Sequence, residues 1–118
     1  MREWRKSLKM DNPAFLSLLG ICRRANKLSC GHDGAVGSIR SKSAKLCLLS
    51  SDSSERLRNE ISRETEMSGK NMPVRLLCSD MYEIGRAAGL KSAVLTVNDE
   101  GFAKAMLKLL ETEEEVND

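Results

Sequence analysis

Three short apolar runs, KLCLLS at residues 45–50, VRLLC at 74–78 and SAVLTV at 92–97, alternate with segments of helical spacing. Such runs, bounded by polar and turn-forming residues, read as strands buried on both faces, since a half-exposed strand would alternate apolar with polar residues. Helices of about ten residues between buried strands are accommodated by a sheet covered on both sides. The pattern predicts a three-layer α/β/α sandwich with a central mixed, largely parallel sheet.

The helical segments carry their own start and stop signals. Asn12-Pro13 supplies a cap and a first-turn proline, and Phe15, Leu18, Leu19 and Cys22 then share one face of a helix expected to run to about Lys27. Ser53 or Ser54, in the polar cluster after the first strand, can cap a helix whose Leu57, Ile61 and Glu64 positions alternate apolar and charged faces. DMYE, residues 80–83, has the Asp-x-x-Glu form of a capping box, and its helix should end near Gly89. Asn98 or Asp99 caps the last helix, with Phe102, Met106 and Leu109 or Leu110 inward. One domain should span residues 12–110, between a basic leader at 1–11 and an acidic tail at 111–118.

Charge is unevenly distributed. Residues 1–45 hold ten Lys/Arg against three Asp/Glu, a balance of +7, and residues 46–118 hold nine against fourteen, a balance of −5. A basic half suits a polyanion. If folding keeps that asymmetry in space, Arg23, Arg24, Lys27, Arg40, Lys42 and Lys45 should form a patch beside residues 31–33.

Several function classes are disfavoured. No apolar run approaches the roughly 20 residues of a membrane span, and MREWRKSLKMD lacks a signal peptide's apolar centre. The expected location is the cytoplasm, with no membrane partner. Cys22, Cys30, Cys47 and Cys78 form no CxxC pair and accompany a single histidine, so metal-ligand spacing is absent. Cys47 and Cys78 read as buried thiols of a reducing compartment. Neither GxGxxG after a strand nor GxxxxGK[ST] occurs, and a nucleophilic site would need Cys30 or Ser29 with His32 and no identifiable orienting acid. The expectation is a protein without enzymatic activity, cofactor, metal or small-molecule substrate.

The stretch CGHDGAVGSIRSKSAKL, residues 30–46, places three glycines, the lone histidine and three cations ahead of the first predicted strand. Glycine costs about 1 kcal/mol relative to alanine inside a helix. Gly34 and Gly37 therefore make this either a poor helix or a place where a partner approaches the backbone. GHDG also has the GxxG form with which one RNA-binding module clamps a nucleotide backbone.

FLSLLGICRRANKLSCG (residues 15–31), SKSAKLCLLSSD (41–52), YEIGRAAG (82–89) and AVLTVNDEGFAKAMLKLL (93–110) together resemble the kink-turn RNA-binding ribosomal proteins of the L7Ae/L30e type, in particular their small bacterial members. The resemblance covers nearly the whole domain in order. It implies an α/β/α sandwich and, for the family, recognition of sharply bent RNA by the start of the second helix and a neighbouring loop.

Carried over residue by residue, Gly31 matches a family glycine that is followed by an Asn-Glu pair and, three residues later, a lysine. The polar pair reads guanine edges and the lysine meets phosphate. Asp33, Gly34 and Gly37 stand at those three positions. Asp33 can accept from a guanine N–H but lacks the amide donors for O6, and the two glycines offer no side-chain contact. What the match retains is backbone N–H groups at a helix start, beside His32 and the cations Arg40 and Lys42. The loop holding Cys78, Ser79 and Met81 matches the family's second RNA-contacting loop, with Met81 placed either against a splayed base or over the core. The resemblance thus implies an RNA-binding protein, with structured, kink-turn or ribosomal RNA as partner, ribosome association, and degenerate kink-turn specificity. The alternative is a protein-interaction or structural module that kept the fold and lost RNA binding.

Overall fold

The computed structural model describes residues 13–69 and 71–116, so the basic leader and the Asn12 cap lie outside the described residues. In chain order the elements are α1 (Pro13–Arg24), β1 (Leu28–Cys30), α2 (Gly31–Arg40), β2 (Leu46–Leu49), α3 (Glu55–Ser68), β3 (Val74–Leu76), α4 (Met81–Ala88), β4 (Val94–Val97) and α5 (Glu100–Val116). The three apolar runs are β2, β3 and β4.

Side-chain alternation along the central strands divides the core into two halves. Leu46 and Leu48 of β2, with Leu95 and Val97 of β4, face α1, α4 and α5 through Phe15, Leu19, Ile84 and Met106. Cys47 and Leu49, with Val94, face α2 and α3 through Val36, Ile39 and Ile61. All four β2 side chains are buried, as a strand sandwiched between helical layers requires. The expected three layers are present.

Two expectations about the sheet are corrected. A fourth strand, β1, lies at one edge; its three half-buried residues, LSC, carry no apolar run by which the sequence would reveal it. The strand order is β1-β4-β2-β3, with β1 and β2 antiparallel to β4 and only β2 and β3 parallel. The sheet is mixed but not largely parallel. The reason lies in α4: its eight residues, about 12 Å of helix, do not return the chain along the sheet. The N–H of Met81, at the start of α4, meets Asp52 just past β2, and the N–H of Ser50 meets the Ala93 carbonyl. The chain therefore enters β4 from the end at which it left β3.

The helix boundaries follow local chemistry. Ser54 accepts the Leu57 N–H and starts α3. Asp80 and Glu83 form a reciprocal capping box on α4, which ends at left-handed Gly89. Asp99 accepts the Phe102 N–H at the start of α5. α1 stops at Arg24 rather than near Lys27, because Asn26 adopts φ 61° and turns the chain into β1. α5 continues past Leu110 to Val116, taking in most of the acidic run. At Gly20, α1 crosses α4 so closely that a Cβ would stand 2.7 Å from the Ala87 carbonyl oxygen.

Candidate nucleic-acid interface

The antiparallel pairing of β1 with β4 brings the start of α2 and the chain entering β4 to the same end of the sheet. Cys30 is paired with Leu95, so Gly31 emerges beside residues 92–94. There the Gly31 N–H donates to the Ser92 hydroxyl at 2.9 Å, and that hydroxyl donates to the Val94 carbonyl at 2.6 Å. Gly31 has φ 85°, a backbone region that penalises a side chain although nothing lies within 4 Å of its Cβ position. Farther along, Asn98 donates to the Ser29 hydroxyl at 2.8 Å, and Ser29 lies 2.9 Å from the Ser38 hydroxyl. α2 is thus braced at its first residue and again in its third turn.

No side chain caps α2, since Cys30 at the cap position makes no such hydrogen bond. Beyond the Gly31 N–H held by Ser92, the helix start presents its N–H groups and the positive end of its dipole without a capping side chain, the arrangement that favours an anion. Gly34 and Gly37 leave the next turn bare: a Cβ at Gly34 would make an ordinary 3.6 Å contact with Ser29 Cβ, and at Gly37 would meet nothing within 4 Å. Neither glycine is demanded by packing.

His32 projects from this first turn toward α3, its Nε2 2.5 Å from Glu60 and its Nδ1 3.2 Å from Asp33. The hydrogen bond to Glu60, then that to Asp33, pushes its pKa above the usual histidine value. His32 engages these carboxylates rather than Cys30. Burial raises the Cys30 thiol, with Arg23 opposing the shift, and lifts Cys22 to about 11 and Cys47 to about 12. Thiolate is disfavoured at all three.

Gly31, His32, Asp33 and Gly34 come together at this end. The loop bearing Cys78, Ser79 and Met81 lies at the same end: the Ser79 carbonyl accepts the Ser51 N–H at 2.8 Å and Asp52 accepts the Met81 N–H at 3.2 Å. Met81, the first residue of α4, is 37% exposed. The loop bonded directly to Gly31 is a different one, residues 90–92, with Leu90 and Lys91 exposed. Sequence reasoning passed over these residues, since only the adjacency of β1 and β4 places Ser92 against Gly31.

The expected basic patch does not form. Arg40 lies at the far end of α2, about 14 Å along its axis from Gly31, and binds Glu64 of α3 through bonds of 3.0 and 2.9 Å. That guanidinium holds the Glu64 carboxyl below its usual range. Lys42 follows α2 at the same far end, where the Lys45 N–H meets the Val97 carbonyl and the Lys27 carbonyl accepts from Asn98. Sequence proximity misled here, because a helix carries its last residues the width of the sheet from its first. Arg23 reaches back instead: its Nη1 lies 3.3 Å from the Cβ position of Gly89.

The profile of the ribosomal protein L7Ae/L30e/S12e/Gadd45 family matches residues 14–107. The RNA-binding protein YlxQ of Bacillus subtilis is 30% identical over 103 residues, 86% of this chain and 100% of that one. Its namesake in Enterococcus faecium is 30% identical over 96 residues, 81% of this chain and 90% of that one. A solved Bacillus halodurans protein of unknown function superposes with a TM-score of 0.77 at 27% identity, over 85% of this chain and 99% of that one. The Giardia lamblia 15.5kD RNA-binding protein shares the fold, with a TM-score of 0.65 at 14% identity over 92% and 94% of the two chains.

Proposed function

The chain belongs to the ribosomal protein L7Ae/L30e/S12e/Gadd45 family, and from that premise we propose that it binds structured RNA through the uncapped start of α2 and the loop at residues 90–92. The observation that carries the reading is the bond from the Gly31 N–H to Ser92, which fixes both elements on one surface. Phosphate meets the first-turn N–H groups that Ser92 does not occupy, with Lys91 on the adjoining loop, its Nζ turned over Tyr82 of α4. The bare turn at Gly34 and Gly37 lets a nucleic-acid backbone approach closely, while Asp33 accepts from a base edge. Two relatives that are RNA-binding proteins by name support the same reading.

Contacts of this kind position an RNA more than they read it. The protein therefore binds bent RNA with weak discrimination for the kink-turn sequence, a property suited to a cytoplasmic, ribosome-associated role in which other components supply specificity. Titrating a kink-turn RNA and a control with its kink pairs replaced, at two salt concentrations, tests this. Both should bind with affinities within about 10-fold of each other and weaken steeply with salt, as phosphate contacts dictate. Absence of binding to either at low salt would assign the fold to a protein-interaction module.

A further inference from the structure

We infer that the outer face of α4 is a second RNA-contacting surface, on which Tyr82 stacks an unpaired nucleotide while Arg86 and Arg23 hold the phosphates of its strand. The inference rests on the RNA-binding reading above and extends it to a single-stranded segment flanking the structured RNA. Tyr82, the sole tyrosine of the chain, is 59% exposed in the first turn of α4. Positions 82, 85, 86 and 89 share one face at helical spacing. Lys91 crosses that face, with Nζ 5.6 Å from the Tyr82 ring centroid. It can do so because position 85 is glycine: a Cβ there would stand 2.7 Å from Lys91 Cγ. Arg23 arrives from α1 over Gly89, extending the row of cations to the other end of the helix.

What fits this face is set by its charge. Arg23, Arg86 and Lys91 form no ion pair with a described residue, whereas Arg40 and Lys104 are paired with Glu64 and Glu100. Glu83, on the same helix, is taken up by its bond from the Asp80 N–H. Three cations without an ion-pair partner among the described residues, one of them over the aromatic ring, make a surface for a charged strand with stackable bases, because phosphates satisfy the row while a base covers the ring's other face. The face is also continuous with the α2 site, since Lys91 adjoins Ser92, which holds Gly31. A strand leaving that site meets Lys91 first and Tyr82 next.

The test compares one structured RNA with a blunt end against the same RNA carrying a single-stranded flank of about five nucleotides. The flank should tighten binding by the parent protein. Tyr82→Ala should remove roughly 5- to 150-fold of the flanked RNA's affinity, the range for a stacked base, and leave the blunt RNA unchanged. Tyr82→Phe should retain the gain. Arg86→Ala should reduce the salt slope for the flanked RNA by about 0.7, one single-strand phosphate contact. If Tyr82→Ala binds the flanked RNA as the parent does, this inference falls, the face is left to a protein partner, and intact blunt-RNA binding preserves the α2 reading. If the parent binds neither RNA, both fall.

Discussion

The hydroxyl of Ser92 receives the N–H of Gly31 at 2.9 Å across a sequence separation of 61 residues, joining the entry to β4 to the first residue of α2. Ser92 is buried and also donates to the Val94 carbonyl, so one side chain fixes the geometry of the candidate interface. Ser92→Ala leaves a buried carbonyl and a helix-start N–H without this partner. The expected loss of stability is about 1–3 kcal/mol, read by urea denaturation, together with weaker RNA binding. Unchanged RNA affinity in a destabilised variant would separate the brace from the binding surface.

Gly20 should resist enlargement. The helix gains about 1 kcal/mol of propensity from alanine, but a Cβ 2.7 Å from the Ala87 carbonyl forces α1 and α4 apart. Overpacking of this kind costs typically 1–3 kcal/mol. Gly20→Ala should therefore lower the thermal midpoint, and a raised midpoint would show that the helices separate freely.

Gly34→Glu and Gly37→Lys, combined with Asp33→Asn, should create strong binding to a standard kink-turn RNA. Both glycines lie within α2 at negative φ with room for a side chain. The substitutions should also gain up to about 1 kcal/mol each in stability. Gel shift and denaturation check the two halves of the prediction. A folded variant with unimproved kink-turn binding would mean that α2 does not present these positions to RNA.

The single histidine of the chain should titrate above the ordinary value, because Glu60 and then Asp33 favour its protonated form. A folded pKa above the unfolded one means that the stabilisation is complete below about pH 6.5. It is lost as pH rises through the folded value. NMR titration of the ring protons should place the midpoint above the unfolded one, and His32→Gln should erase the corresponding slope in stability. A midpoint at or below the ordinary value would contradict the bonding to Glu60.

The sequence made the layers legible and the sheet order obscure, for one physical reason. Burial on both faces imposes the continuous apolar runs that revealed β2 and β4, and that burial is the same whether a neighbour runs parallel or antiparallel, whereas β3 at the sheet edge is only partly buried. The caps at Ser54, Asp80 and Asp99 were readable because they depend on residues within three positions. Gly31, His32 and Asp33 could be singled out from local composition and family likeness. Ser92 could not, since its place beside Gly31 depends on β4 lying next to β1. The same dependence on distant pairing undid the expected patch, whose Arg40 turned to Glu64.

RNA is expected to contact the end of the sheet where α2 begins and β4 is entered. Backbone amide NMR during titration with a short bent RNA locates the contact residue by residue. The largest shift changes are expected at residues 31–34 and 90–92, fading as salt is raised, with residues 42–45 and 104 at the opposite end unmoved. Changes confined to residues 42–45 and 104, or none at low salt, would contradict it.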